Sequence, residues 1–503
     1  MSVKKLLIAV CFFVTSMFAM KWLNLHPSYI FSAGVIFLIF SLKNNLPSNI
    51  TRVILIFVIL FEILFFISFG ETLTQPILDS IIETNMHEAI YMISDMWWQL
   101  LTLILSTAAI FYLSKKTSYN KFRPYLYIIS LSFILSSSIK YTYSNIYHSY
   151  DYYNIKEDIN VLAGKLQKDF PLFIGDSSYI LSKVVKYDRY KNIEEATRNN
   201  IAIKSLNNNG SEVVVLIMGE SALSERHSSY GYHKDTSPNM SRIFNEQGAC
   251  ILKKTHSASA VTREALPMNI SFYTPESEKE LFDEKNVILM AKDAGYKTYW
   301  IGAQTIDGLW SAKYGFIAKQ TDYLKMVTWG KDQETIPEFK KIINTPENNK
   351  LFIVVHLRGS HKPYVNYDEK DKDALSSADD YDLTIHHTDR VVSEINRILS
   401  ENKNQYFLYY TSDHGEIVNK GHGFSKGKQQ YFVPVMIKSN NFNNLCSSAE
   451  LMRKYNGYYS TTSTKYILAL AMGYSLDDKV VKTQTMTDKV LGGTGKLVNF
   501  DDM

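Results

Sequence analysis

Hydrophobic and polar positions divide the chain into two unlike parts at about residue 140. Before that point, long apolar runs with almost no charge follow one another: Leu6 to Met20, Ile30 to Leu42, Val53 to Phe69, Trp97 to Leu113 and Tyr125 to Ile139. With flanking residues most approach the roughly 17–25 residues a helix needs to cross a bilayer. Five in succession predict a membrane domain of about five transmembrane helices over residues 1–140, rather than buried core helices. Residues 206–503 read differently. Short β-branched or aromatic runs at Glu212–Met218, Lys297–Gly302, Leu351–Leu357, Gln405–Thr411 and Tyr431–Lys438 alternate with amphipathic stretches, the pattern of an α/β domain. Near-continuous apolar strands imply burial on both faces, hence a mostly parallel sheet covered by helices.

Charge orients the apolar part. Lys4 and Lys5 precede the first run, Lys43 and Arg52 separate the second from the third, and Lys115, Lys116, Lys121 and Arg123 separate the fourth from the fifth. Between the third and fourth lie Glu71, Asp79, Glu83, Glu88 and Asp95, with no Lys or Arg. The positive-inside bias then puts the N-terminus in the cytoplasm, and an odd number of spans delivers the α/β domain to the far side. The first run also has the outline of a signal peptide, but the further spans favour an uncleaved anchor. Residues 141–205 read as a connector on the outer membrane surface, because Tyr141, Tyr143, Tyr147, Tyr150, Tyr152 and Tyr153 follow the fifth run and tyrosine favours the headgroup zone. Glu62 lies inside the third run. A carboxylate there is costly, so it is either functional or satisfied by a partner.

Averages conceal this division. The 503 residues are 46% hydrophobic and 21% charged, and a mean hydropathy of −0.13 alone would suggest an ordinary soluble protein. A net charge of +4 is too mild to argue for nucleic acid. Three cysteines exclude a small disulfide scaffold. Cys11 falls in the first run, which leaves Cys250 and Cys446 for at most one disulfide in the α/β domain; sequence leaves open whether they meet.

Chemistry gathers just after the candidate strands, where open α/β sheets form their sites. Gly219-Glu220-Ser221 follows the first strand. His356 ends the third, with His361 in the loop beyond. Asp413-His414-Gly415-Glu416 follows the fourth, with His422 soon after. Carboxylates converging with imidazole suit zinc or a similar divalent ion, whereas Asp-His-Gly-Glu alone would read as a solvated turn.

These segments carry a resemblance. Val213 to Ser221, then Arg226, then Ser229-Tyr-Gly-Tyr-His-Lys-Asp-Thr-Ser-Pro238, together with Gly359-Ser-His-x-Pro363 and Asp413-His-Gly-Glu416, resemble the phosphoethanolamine transferases. The resemblance implies about five transmembrane helices and a periplasmic catalytic domain of alkaline phosphatase/sulfatase type, in a multi-pass protein of a bacterial inner membrane. It implies Thr262 as nucleophile, because Thr262 stands five residues before Pro267 as the family pattern requires. Ser221 is the rival, since it adjoins a ligand. Metal coordination would activate the poorly nucleophilic alcohol. By the same resemblance Glu220, Thr262, Asp413 and His414 hold one zinc ion, with a second possible. His361 and His422 contact the phosphoryl group or a second metal, supported by His356 and Glu416, and Lys313 contacts phosphate. Thr84 and Glu88, one helical turn apart, hold an ethanolamine headgroup; the plainer alternative is a solvated acidic loop. The expected donor is phosphatidylethanolamine, and the acceptor is lipopolysaccharide (lipid A or a core sugar) or another envelope glycan, served by a monomer. A glycerol-phosphate transferase of the lipoteichoic-acid-synthase type is the alternative. A sulfatase activity is disfavoured because no Cys-x-Pro-x-Arg motif is present.

Overall fold

The structure is a computed structural model that describes the chain except residues 1–2, 24, 76, 79–80, 82–89, 91–92, 95, 118–121, 148–158, 171–173, 188–194, 208, 277, 307–311, 346–349, 402–404, 442–443 and 493–494. Two compact units result. One comprises residues 1–78 and 89–186, the other residues 79–88 and 187–503.

The first unit is helical. Its helices are α1 (Val3–Trp22), α2 (Pro27–Ser41), α3 (Leu46–Phe69), α4 (Trp97–Thr117), α5 (Arg123–Tyr141), α6 (Ile159–Asp169) and α7 (Asp176–Tyr187). Among the described residues, three stretches are long and apolar enough to cross a membrane: Lys5–Trp22, Leu46–Phe69 and Trp97–Lys116. The other two apolar runs also fold as helices, but α2 has only 15 residues, and the 19-residue α5 carries Ser130, Ser132, Ser136, Ser137 and Ser138. Those serines serve packing. Ser130 donates to the Gly34 carbonyl at 2.8 Å and Ser132 to that of Ala9 at 3.1 Å, and Ser16 and Ser136 share a 2.6 Å hydrogen bond. Gly34 permits the approach: a Cβ there would stand 2.9 Å from Ile134 Cγ1. Small residues that bring backbones together are how helices associate where apolar burial provides no driving force.

Arg52 falls within α3 rather than in a loop, and it is buried. Its guanidinium donates to the carbonyls of Ile39 and Leu42, and to the amide oxygens of Asn44 and Asn49. It thereby satisfies carbonyls at the C-terminal end of α2 that have no helical partner. Glu62 is buried too, and its carboxyl group faces that of Asp176 on α7. Burial, and then this neighbour, push the Asp176 carboxyl up to about 9. Among the described residues neither Glu62 oxygen has a hydrogen-bond partner, so its nearest polar neighbour is the Asp176 carboxyl. Tyr141 is also buried, with its hydroxyl on Asp169 at 2.8 Å, whereas Tyr143 and Tyr147 are exposed; Tyr150, Tyr152 and Tyr153 lie outside the described residues.

The second unit is built on a seven-stranded sheet. Its strands are β1 (Val213–Gly219), β2 (Ala249–Leu252), β3 (Lys297–Gly302), β4 (Tyr323–Met326), β5 (Leu351–His356), β6 (Tyr406–Ser412) and β7 (Val435–Ser439), in spatial order β2-β7-β6-β1-β5-β3-β4. The sheet is mixed: four neighbouring pairs are parallel, and β7 runs antiparallel to both β6 and β2. The strand expected over Tyr431–Lys438 is therefore shorter and oppositely directed. Residues Lys428–Tyr431 form a 3-10 turn, and Pro434 lacks the N–H a ladder needs, so pairing starts at Val435. Along β1, Val213, Val215 and Ile217 enter one core while Val214, Leu216 and Met218 enter the other, which accounts for the unbroken apolar run. Cys250 on β2 and Cys446 form a disulfide with a Cα–Cα separation of 6.1 Å.

Candidate active site

Register brings the chemistry together. β1 lies between β6 and β5, and Gly219 pairs with Ser412 while Met218 pairs with both Thr411 and His356. The next residues along the parallel central strands are Glu220 and Asp413, so their carboxylates emerge side by side at the carboxyl edge. Both are fully buried, as is His414. The helix α8 (Thr262–Ile270) points its first residue at them: Thr262 Oγ1 donates to Glu220 Oε2 at 3.1 Å and lies 3.3 Å from His414 Nε2. His414 Nε2 is 3.3 Å from Glu220 Oε1 and 3.4 Å from Asp413 Oδ2.

The residues fit a divalent cation. One oxygen of Asp413 accepts N–H groups from Ser221 and His414, but its other oxygen, Oδ2, is buried and has no hydrogen-bond partner among the described residues. Such an atom carries a large desolvation cost unless a cation meets it. The His414 Nδ1 bonds to the Gly415 carbonyl at 2.8 Å, which orients the ring and leaves Nε2 to face the carboxylates, the outer-sphere arrangement of a metal-ligating imidazole. Glu220, Asp413 and His414 present atoms all within 4.8 Å of one another. Without an ion, burial and then the Glu220 carboxylate push the Asp413 carboxyl upward. Burial opposes, but Asp413 and Glu220 outweigh it, in raising the His414 imidazole.

A second group adjoins the first. The His422 ring lies tilted against the His414 ring, 4.1 Å between centroids, and its Nδ1 lies 2.9 Å from Oε2 of Glu416, whose other oxygen accepts the Tyr364 hydroxyl at 2.9 Å. His414, Glu416 and His422 form a second set of possible ligands. His361 is 5.6 Å from His422, ring to ring, and its Nδ1 is held by the Lys362 carbonyl at 2.5 Å. His356 is buried with its ring edge-on to Trp300 and Tyr314; burial drives its imidazole down to about 4, so it is neutral. Lys313 is tied to Glu264 at 2.6 and 2.8 Å and to the Tyr273 hydroxyl at 2.5 Å, an ion pair two residues along from Thr262. Thr84 and Glu88 lie outside the described residues.

The rival hydroxyl differs from Thr262. Ser221 is wholly buried at φ 54°, and its Oγ donates to Glu220 Oε1 at 2.9 Å. Sequence reasoning missed Gln304, just beyond β3. Its amide donates to Glu220 Oε2 at 3.0 Å and to the Leu357 carbonyl at 2.7 Å, and lies 3.2 Å from His356 Nε2, so it orients the carboxylate. Its position at a strand's carboxyl end was the available signal. Tyr381 was also missed; its hydroxyl donates to the Ser221 carbonyl and accepts the Leu223 N–H. A tyrosine in a helix 160 residues downstream carries no signal of that contact.

Comparison with known proteins agrees with the motif-based resemblance. The sulfatase family model matches residues 212–472. The phosphoethanolamine transferase EptC of Escherichia coli K12 is 23% identical over 69% of this chain and 65% of its own length. The chain spans between about half and two thirds of the curated relatives it matches. Among solved structures, the periplasmic domain of E. coli EptC in complex with Zn superposes with a TM-score of 0.52 at 20% identity, covering 61% of this chain and 98% of that one. The integral membrane lipooligosaccharide phosphoethanolamine transferase A of Neisseria meningitidis superposes with a TM-score of 0.57 at 17% identity, covering 84% of this chain and 83% of that one. Both likenesses concern the fold.

Proposed function

We propose that this chain, which belongs to the sulfatase family, transfers phosphoethanolamine from phosphatidylethanolamine to a lipopolysaccharide sugar or lipid A, or to another envelope glycan. The observation that carries the reading is the Thr262 hydroxyl set between Glu220 Oε2 and His414 Nε2, beside the unpartnered Asp413 oxygen. Relatives named phosphoethanolamine transferases support the substrate class. In the first step Thr262 Oγ1 bonds to phosphorus, the P–O bond to diacylglycerol breaks, and the departing oxygen takes up the proton Thr262 releases. An acceptor hydroxyl or phosphate oxygen then bonds to phosphorus, the bond from Thr262 Oγ1 to phosphorus breaks, and Thr262 Oγ1 regains a proton, the acceptor's own where the acceptor is a hydroxyl. His361 and His422 hold phosphoryl oxygens, His356, Gln304 and Glu416 keep the surrounding groups in place, and Lys313, released from Glu264, reaches phosphate. Glu220, Thr262, Asp413 and His414 would hold a zinc ion, which when bound supplies positive charge against the phosphoryl oxygens and favours the alkoxide. The set around Glu416 and His422 is available to a second.

The same reading places five spans in a bacterial inner membrane, with the N-terminus cytoplasmic, the α/β unit periplasmic, and Thr84 and Glu88 serving the headgroup. Incubating the purified protein with labelled phosphatidylethanolamine should release diacylglycerol and leave a phosphoethanolamine mass on the peptide containing Thr262. Turnover of phosphatidylglycerol instead would show the glycerol-phosphate reaction. Neither product, with zinc bound, would refute both readings.

A further inference from the structure

We propose that Asp332 is a positioning residue that aims His361; this rests on the reading of His361 as a phosphoryl contact. Asp332 belongs to the connection between β4 and β5 and is completely buried. Its carboxylate accepts the backbone N–H of Arg358 at 2.7 Å and of Gly359 at 2.9 Å, and the Asn366 side-chain amide at 2.6 Å. The same amide nitrogen donates to the Gly359 carbonyl at 3.1 Å. Three donors converging on one buried group require an acceptor-only partner, which an ionised carboxylate is and an amide is not.

The clamped backbone also packs against Glu220, the residue just beyond β1. Gly359 has φ 53°, a Cβ there would stand 2.7 Å from the Glu220 carbonyl oxygen, and Ser360 N donates to that oxygen at 2.9 Å. Residues 358–360 are thus held between Asp332 on one side and Glu220 on the other, and His361 is the next residue. The far end of the strap is fixed as firmly. The buried Asp371 carboxylate meets His386 Nδ1 at 2.7 Å, His387 Nδ1 at 2.8 Å and Arg390 at 2.8 Å, and it completes a capping box with Asp368. Of the two anchors, Asp332 is the one whose bonds end on Arg358 and on Gly359, which stands two residues before His361, so its loss should move the imidazole while leaving Glu220, Asp413 and His414 in place.

The test uses the full-length protein in detergent with a fluorescent phosphatidylethanolamine. Asp332→Asn should lower kcat for diacylglycerol release roughly 10–100-fold, as expected of a reacting group displaced by about an ångström, with KM and zinc content unchanged. In a His361→Ala background, Asp332→Asn should cost nothing further, since residues acting through one group are not additive. Asn366→Ala removes one donor but keeps the carboxylate. It provides a milder version should Asp332→Asn fold poorly: a smaller kcat loss, again absent in the His361→Ala background. Losses that multiply with His361→Ala, or a wild-type kcat in both variants, would overturn the positioning role alone. A His361→Ala protein of wild-type activity would overturn the role assigned to His361 and this inference with it.

Discussion

Arg52 in the helical unit and Asp413 in the α/β unit are both charged and buried, yet they present opposite accounts of their surroundings. Arg52 spends its donors on four oxygens, two of them carbonyls at the end of α2. Asp413 leaves one carboxylate oxygen unpartnered against Glu220 and His414. A satisfied buried charge ties helices together; an unsatisfied one, among groups that would repel or compete for protons, marks a place built for something else. Burial alone would have ranked them equally. The hydrogen-bond partners separate them.

Four experiments press on that contrast. The largest effect should come from Thr262→Ala, which removes the oxygen proposed as nucleophile while leaving every buried charge in place: transfer from labelled phosphatidylethanolamine should fall at least about 1,000-fold with an unchanged melting temperature. Next, Asp413→Asn should strip zinc, measured by elemental analysis, and abolish donor cleavage. Without metal, however, it should melt no lower than the wild-type apoprotein, because it removes one of two acidic groups crowded in a buried cluster. A markedly lower melting temperature would mean that the cluster is structural like Arg52. Conversely, Arg52→Ala should leave zinc content and turnover per folded molecule intact but destabilise the helical unit by about 2–4 kcal/mol, read by thermal loss of helical circular dichroism.

The smallest effect concerns the Glu62–Asp176 pair. The folded-state pKa of Asp176 is raised to about 9, so the folded state binds the extra proton. Stability from this group is therefore present in acid and lost as pH climbs from about 4 toward 9. Asp176→Asn should flatten that slope. A wild-type protein whose melting temperature is level across this window would show that the Asp176 carboxyl is not raised.

Much of this was legible in the residue pattern, for definite reasons. Apolar runs too long for a soluble core announced the helical unit, and strands buried on both faces announced the sheet to within one or two residues at Lys297–Gly302 and Leu351–His356. That Glu220, Asp413 and His414 converge was legible because open sheets gather the residues at their strand ends. The edge strands β2 and β4 escaped notice because they are only four residues long and part-exposed, with little apolar contrast. Lys313 was expected on phosphate; nothing local revealed that Glu264 holds it.

By itself, then, the sequence determined the division into an apolar helical part and an α/β part, the central strands, and the residue types available to chemistry. Periodicity and length are properties of a segment and its solvent, and need no knowledge of the rest of the chain. Tertiary structure decided which of those residues meet. The in-register pairing of β1 with β6 sets Glu220 beside Asp413, α8 adds Thr262, and Asp332 and Gln304 arrive from connections far away in the chain. Those meetings depend on strand order and loop closure across more than a hundred residues, which no local pattern encodes. The pairing of Cys250 with Cys446 was decided in the same way, by β2 lying at the sheet edge within reach of a helix 196 residues on.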